Sequence, residues 1–254
     1  MSEVGTTTSG NGADPGAATP GAALEARGIS AGYGPQPVVY DVDLVVQPGE
    51  VVGLLGANGA GKTTTLLSLA GELPLLSGEV LFGGAVTTAP LYRRARQGLT
   101  FVTEEKSVFM GLTARDNLRV AGVDIPTALG LFPELERLLG VRAGLLSGGE
   151  QQMLTLARAL SRKPTVLLAD ELSMGLAPMI VKRLLEAVGR VARQQGTAVL
   201  LVEQHVRKAL EHCDRAYVMH RGRIELTGSA GELLGRIGEI EDRYLTAATG
   251  PAAT

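Results

Sequence analysis

The stretch Gly56-Ala57-Asn58-Gly59-Ala60-Gly61-Lys62-Thr63 decides the fold of this 254-residue chain. It matches the pattern G-x-x-x-x-G-K-[ST] at every fixed position. The run over residues 50–55, apolar after Glu50, predicts a buried strand before it, and residues 63–69 predict a helix after it. A glycine-rich turn in this position presents backbone N–H groups to phosphate oxygens. The sequence therefore predicts a loop that binds the phosphates of a nucleoside triphosphate.

Two side chains of this stretch have predicted roles. Lys62 would reach the outer phosphates, and the Thr63 hydroxyl would hold a magnesium ion. The alternative is a glycine-rich turn whose lysine merely faces solvent. The correct spacing of glycine, lysine and threonine argues against that alternative.

Composition restricts the class of protein. Lysine plus arginine is 24 and aspartate plus glutamate is 26, so the formal charge is -2 and we expect no nucleic-acid partner. The cluster Arg93, Arg94 and Arg96 is interpreted as a solvated helix face. The single cysteine, Cys213, fits a reducing compartment and is expected to be a packing residue. No apolar run approaches the roughly 18 residues that span a bilayer.

The chain divides into a core and two tails. Residues 1–22 are small and polar and predict a disordered tail, and residues 247–254 predict a loose one. Residues 23–246 would form one α/β nucleotide-binding domain. Helical spacing from Thr113 to Gly140, interrupted by Pro126 and Pro133, predicts a small helical subdomain over about 105–162.

A second motif, Leu146-Ser147-Gly148-Gly149-Glu150, opens a predicted helix. Ser147 and Glu150 have capping-box spacing, which fixes the helix start and leaves N–H groups facing outward for an anion. Taken alone, the motif could also be only a helix cap. Its position before the next motif favours the anion site.

That next motif is the apolar run over residues 165–169, which ends in Asp170-Glu171. Asp170 would hold magnesium, and Glu171 would act as general base on a water aligned with the γ-phosphate. Acidic residues that simply end a strand are an acceptable alternative for either residue alone. That alternative is poor for both in this order after a phosphate loop.

Three other positions are open on residues alone. Glu104 follows the predicted strand over residues 99–102, at an edge where ligands bind in open α/β sheets, or is simply part of a charged loop. Gln204 follows the strand over residues 197–202 and could sense the γ-phosphate or cap the next helix. Tyr33, between two glycines, could stack on a base or pack on its own hairpin.

The ordered set of phosphate loop, Ser147 motif and Asp170-Glu171 resembles the ATP-binding-cassette (ABC) family from Leu24 to about Leu245. The resemblance implies a P-loop NTPase core with a mixed sheet flanked by helices. It also implies an N-terminal antiparallel β subdomain and a small α-helical subdomain that carries the Ser147 motif. ATP and Mg²⁺ are the implied cofactors, and Tyr33 matches the adenine-stacking aromatic.

The implied ligand sets follow from the same resemblance. The expected nucleotide contacts are Tyr33, Gly56, Ala57, Asn58, Gly59, Ala60, Gly61, Lys62, Thr63, Thr64, Glu104, Ser147, Gly148, Gly149 and Glu150. The expected metal contacts are Thr63, Glu104 and Asp170. The expected catalytic residues are Lys62, Glu171 and Gln204.

The family resemblance also implies partners. Nucleotide would lie between one subunit's phosphate loop and the Ser147–Gly149 motif of a second cassette, in a homodimer or heterodimer. The helical region and residues 104–110 would grip two membrane permease subunits. A periplasmic or lipid-anchored substrate-binding protein would complete the assembly. The chain would be peripheral, at the cytoplasmic face of the cell membrane.

More narrowly, the chain is similar to the ATP-binding subunit of branched-chain amino-acid importers. The similarity is carried by the phosphate loop through Thr64, Glu104 in place of a usual glutamine, Val108-Phe109, Leu131-Phe132-Pro133, the run from Leu146 to Met153, Gly175-Leu176-Ala177-Pro178 and Val202-Glu203-Gln204. The expected function is ATP hydrolysis that energises import of branched-chain or related amino acids. Alternatives are an importer of urea or amides, an exporter, or a soluble ABC ATPase outside transport.

Three positions depart from the family pattern. Leu172 and Thr103 each replace a usual proline, and Gln204 replaces a histidine at the switch position. Gln204 can hydrogen-bond the γ-phosphate but cannot carry a positive charge. The switch role is not transferred to His205, whose side chain would point elsewhere in the same strand register.

Overall fold

A computed structural model describes residues 21–105 and 107–242. The predicted tails over 1–22 and 247–254 lie outside these ranges, apart from Gly21 and Ala22. The boundaries drawn for the domain and its helical subdomain stay predictions.

The described residues form ten strands and nine α-helices. The strands are β1 (Leu24–Ala31), β2 (Val39–Val46), β3 (Val51–Leu55), β4 (Leu75–Phe82), β5 (Ala85–Val86), β6 (Leu99–Val102), β7 (Val166–Asp170), β8 (Ala198–Glu203), β9 (Arg215–His220) and β10 (Arg223–Ser229). The helices are α1 (Lys62–Ala70), α2 (Leu91–Arg96), α3 (Ala114–Val120), α4 (Ile125–Leu131), α5 (Gly148–Leu160), α6 (Pro178–Gln195), α7 (Val206–Leu210), α8 (Ala230–Gly235) and α9 (Ile237–Ile240).

Two sheets organise these elements. An antiparallel sheet has the strand order β2-β1-β4-β5, and a larger sheet has the order β10-β9-β3-β8-β7-β6. In the larger sheet only β9 and β10 pair antiparallel, so it is mixed. The predicted fold class is confirmed. Because β3, β6, β7 and β8 run parallel, their carboxyl ends lie along one edge, where open α/β sheets bind ligands.

Buried strands and amphipathic helices explain the core. Every residue of β3, β7 and β8 is buried, as expected for parallel strands covered on both faces. The long helices α5 and α6 pack their apolar faces against this sheet and against each other, and α5 also packs against α3 and α4. Gly71 ends α1 with φ 80°, the left-handed conformation that glycine adopts readily.

The helical region is interrupted where the prolines predict. Pro126 stands in the first turn of α4, and Pro133 begins a 3-10 turn over Pro133–Leu138. Proline is tolerated at a first helical turn because the N–H groups there have no partner within the helix.

The interpretation of the arginine cluster was wrong for one of its three members. Arg93 and Arg96 are exposed, but Arg94 is 3% exposed. Its guanidinium donates to the carbonyl oxygens of Leu69 (2.5 Å), Ala89 (2.7 Å) and Thr87. Arg94 therefore ties α2 to the end of α1, a role that a pattern of charges cannot reveal.

Two further sequence expectations concern packing and membrane spanning. Cys213 packs, partly buried, against the main apolar cluster, and burial raises the pKa of its thiol to about 12. Within residues 21–105 and 107–242, no helix has the length and apolar character needed to cross a bilayer.

Candidate active site

The phosphate loop joins β3 to α1 and wraps around its own lysine. Lys62 Nζ donates to the carbonyl oxygens of Gly56 (2.8 Å) and Ala57 (3.0 Å), and the side chain is 5% exposed. Gly61 has φ 106°, and an added Cβ would lie 2.6 Å from Val39 Cγ1. The loop therefore requires glycine at this position, for both its backbone conformation and its close packing.

A cavity of about 450 Å³ opens over this loop. It brings together most of the predicted loop contacts with residues from the ends of other strands. Its lining residues include Asn58, Gly59, Gly61, Lys62, Thr63, Thr64, Glu104, Glu171 and Gln204. Residues that are distant in the sequence therefore meet at one site, because the parallel strands that carry them end at the same edge.

Thr63 and Asp170 lie next to each other at the base of this site. Thr63 Oγ1 donates to Asp170 Oδ2 at 3.0 Å. The carboxylate is 3% exposed, and its Oδ1 has no hydrogen-bond partner among the described residues. Burial raises the pKa of Asp170, partly offset by the Thr63 hydrogen bond. A hydroxyl beside a buried carboxylate with a free oxygen fits a magnesium ion, which prefers oxygen ligands.

Glu171 is held in an unusual backbone conformation. Its φ is 48°, in the left-handed region that residues with a Cβ seldom adopt. Its N–H donates to Val202 O at 3.0 Å, which ties it to the adjacent strand β8. Gln204 Nε2 donates to Glu171 Oε2 at 2.6 Å, while Glu171 Oε1 lies 3.9 Å from Lys62 Nζ.

Burial and the neighbouring carboxylates shift the pKa of Lys62 in opposite directions. Burial lowers the pKa of Lys62, while the carboxylates of Glu171, Asp170 and Glu203 act in the opposite direction. The acidic groups gathered around one buried ammonium favour its charged form. Lys62 is thus suited to meet negative phosphate oxygens.

The Ser147 motif forms the predicted helix cap. Ser147 Oγ accepts from the Glu150 N–H at 3.4 Å, and Glu150 Oε2 accepts from the Ser147 N–H at 2.8 Å. This capping box starts α5 at Gly148. Ser147 is exposed and is not among the residues that line the cavity, nor are Gly148, Gly149 and Glu150.

Tyr33 is likewise outside the cavity. Its side chain is 67% exposed, in the bend that connects β1 to β2. The structure therefore brings the phosphate loop, Asp170, Glu171, Gln204 and Glu104 into one site and leaves Tyr33 and the Ser147 motif outside it.

Glu203 is a buried acid to which the sequence assigned no separate role. Its side chain is 2% exposed, and it accepts from Ser173 Oγ (2.6 Å) and Ser173 N (3.1 Å). Burial raises its pKa to about 7, with Glu171 and Asp170 adding to the rise and the two bonds from Ser173 opposing it. The available signal was an acid directly after a wholly apolar strand, where burial is expected.

A phosphate loop between a strand and a helix, with carboxylates at the ends of neighbouring parallel strands, defines a P-loop nucleotide-binding domain. Residues 39–173 match the family model described as ABC transporter. The chain belongs to this family, as an ATP-hydrolysing, ATP-binding subunit of an ABC transporter.

ATP-binding proteins of known transport systems are similar in sequence to most of this chain. The high-affinity branched-chain amino acid transport ATP-binding protein BraG of Pseudomonas aeruginosa is 40% identical over 85% of this chain and 97% of that protein. The probable branched-chain amino acid transport ATP-binding protein LivF of Archaeoglobus fulgidus is 38% identical over 81% and 92%. The lipopolysaccharide export system ATP-binding protein LptB of Escherichia coli is 36% identical over 84% and 93%.

Solved structures agree with the fold. An ATP-binding subunit of an ABC transporter is 28% identical, with a TM-score of 0.71 over 85% of this chain and 93% of that chain.

Proposed function

We propose that the cavity over the phosphate loop binds ATP with Mg²⁺ and that the described side chains carry out hydrolysis. Lys62 and the N–H groups of the loop bind the phosphates. Thr63, Asp170 and Glu104 hold the metal, which supplies charge neutralisation on the phosphate oxygens. The observation that carries this proposal is the meeting of Lys62, Thr63 and Glu171 in one cavity, with Asp170 hydrogen-bonded to Thr63 beneath it.

Glu171 acts as the general base in this proposal. It takes a proton from the attacking water as that water's oxygen bonds to the γ-phosphorus, and the bond to the bridging oxygen breaks to leave ADP and phosphate. Gln204 already donates to Glu171 Oε2, so it orients the carboxylate. The same amide can turn its donor to the γ-phosphate, which makes it a neutral switch residue.

The Ser147 motif at the start of α5, exposed at Ser147 itself, fits a role between two chains. Ser147, Gly148, Gly149 and Glu150 lie at the amino end of a 13-residue helix, where N–H groups and the helix dipole favour anions. We infer that they contact nucleotide held by a second cassette, identical or different, and that Tyr33 stacks on adenine. Two permease subunits, contacted at the cytoplasmic face of the membrane, would receive the movement of the two cassettes.

Branched-chain amino acids are the proposed cargo class, because BraG and LivF share 40% and 38% identity with this chain. The direction of transport belongs to the membrane subunits, and LptB at 36% keeps an export system as the second candidate. Import would also require a substrate-binding protein, periplasmic or lipid-anchored. Urea or short amides would be cargo of a closely similar importer.

A pull-down from source membranes in mild detergent tests this assignment. Two permeases and a substrate-binding protein that binds leucine, isoleucine or valine are expected among the co-purifying polypeptides. A binding protein that prefers urea or amides would overturn the cargo. Recovery of a lipid-export assembly would overturn import, and recovery of soluble nucleic-acid or ribosomal components would overturn transport itself.

A further inference from the structure

Three consecutive residues at the end of β8 hold the segment that follows β7. Val202 O accepts from the Glu171 N–H, Glu203 accepts twice from Ser173, and Gln204 donates to the Glu171 side chain. Residues 171 and 173 are therefore fixed on both sides of Leu172. Val202 and Gln204 contact Glu171 itself, whereas the pair Glu203–Ser173 has no part in the proposed hydrolysis step.

The Glu203–Ser173 pair is buried, and both carboxylate oxygens of Glu203 have a hydrogen-bond donor. Each carboxylate oxygen of Glu203 accepts one hydrogen bond from Ser173, one from the hydroxyl and one from the backbone. Both side chains are buried, at 2% and 7% exposure. A carboxylate buried this deeply costs folding free energy unless its hydrogen bonds are satisfied, so the pair needs both bonds.

The Glu203–Ser173 pair restrains the backbone next to Glu171, whose conformation is strained. Glu171 has φ 48°, a conformation that persists in a residue with a Cβ only when its surroundings enforce it. The N–H bond to Val202 O restrains the backbone at Glu171, and the Glu203 clamp restrains it two residues later. Without the clamp, residues 172 and 173 could relax and Glu171 could turn toward ordinary φ values.

We propose that Glu203 is a positioning residue for ATP hydrolysis, which holds Ser173 and thereby keeps the Glu171 carboxylate aimed into the phosphate cavity. This inference rests on the proposed role of Glu171 as general base. Glu203 itself contacts Ser173 and is not among the residues that line the cavity. Its proposed effect on hydrolysis therefore comes through the position of Glu171 and not through a contact with the nucleotide.

The first test compares Glu203→Ala with Glu203→Gln in the full chain. Alanine removes both acceptors, and misplacing the base should lower kcat about 10- to 100-fold while KM for ATP stays within about threefold. Glutamine can still accept from the Ser173 N–H and donate to its hydroxyl, so it should restore most of the lost turnover. A Gln variant as inactive as the Ala variant, or an Ala variant with wild-type kcat, would overturn the clamp.

The second test asks whether Glu203 acts through Glu171. In a Glu171→Gln background there is no base left to position, so adding Glu203→Ala should change single-turnover hydrolysis by less than about threefold. A second drop as large as that in the wild-type background would contradict the inference. If Glu171→Gln alone kept normal turnover, the proposed base would fall and the clamp with it.

Loss of stability needs a matched control. Thr197→Ala removes another buried hydrogen bond, from Thr197 Oγ1 to Pro164 O at 2.7 Å, at the opposite end of β8. It should lower the melting temperature and leave kcat unchanged below that temperature. Should Glu203→Ala fail to fold, Ser173→Ala removes only the hydroxyl bond, and Ser173→Thr should recover its loss of kcat. Wild-type kcat in a folded Ser173→Ala variant would contradict the clamp.

Discussion

Glu203 should make the stability of this protein fall as the pH rises above 5. Burial raises its pKa from the ordinary 4.5 to about 7, aided by the charges of Glu171 and Asp170. Between these values the folded state holds a proton that the unfolded state has released. Stability from this group is therefore fully present below pH 4.5 and is lost as the pH rises through about 7.

The two pKa values set the magnitude. The slope approaches about 1.4 kcal/mol per pH unit inside this window, and the loss between pH 5 and pH 8 comes to about 2.5 kcal/mol. Glu203→Gln has no proton to lose at this position. The free energy of unfolding of Glu203→Gln, relative to that of the wild type, should therefore increase by this amount between pH 5 and pH 8.

Urea unfolding at pH 5, 6, 7 and 8 measures this difference directly. The exposed Glu211→Gln serves as the matched control for replacing a surface carboxylate by an amide. A difference between Glu203→Gln and wild type that does not change with pH would refute the reasoning. It would show that the Glu203 carboxylate keeps its ordinary pKa despite its burial.

Three other substitutions test separate parts of the account. Ser147→Ala should lower phosphate release about 100-fold without weakening nucleotide binding to the isolated monomer. Ser229→Ala, which breaks the matching capping box of α8, should leave phosphate release unchanged. A large loss of nucleotide affinity in the Ser147→Ala monomer would contradict a site shared between two chains. Arg94→Met should lower the free energy of unfolding in urea by about 3 kcal/mol, because one buried and two partly buried hydrogen bonds to carbonyl oxygens are lost. Arg96→Met should cost little, and equal effects of the two substitutions would refute the link that Arg94 makes between α2 and α1. Tyr33→Ala should weaken ATP binding, measured by calorimetry, about fivefold to tenfold, whereas Tyr33→Phe should leave it unchanged. An unchanged affinity in Tyr33→Ala would show that Tyr33 does not stack on adenine.

The phosphate loop and its surroundings were predictable because their signals are local. A continuous apolar run, a glycine-rich turn and a helix that stops at Gly71 follow one another along the chain. The same holds for the capping box of Ser147 and Glu150, whose partners are three residues apart. Both predictions needed only backbone geometry and short-range hydrogen bonds.

Contacts between distant segments were not predictable. The bond between Gln204 and Glu171 and the clamp of Glu203 on Ser173 exist only because β7 and β8 pair in one particular register. Arg94 looked like a surface charge because three arginines in four residues suggest a solvated face. Its carbonyl partners lie outside α2, and only the packing of α2 on α1 brings Leu69 within reach.

The central claim is that Glu171 is the general base of an ATPase site built on the phosphate loop. Steady-state phosphate release by Glu171→Gln, together with equilibrium binding of ATP in the presence of Mg²⁺, tests it most directly. The amide keeps the size of the side chain but cannot accept a proton, so hydrolysis should fall about 10²- to 10⁴-fold while ATP still binds. Near-normal phosphate release by this variant would contradict the assignment.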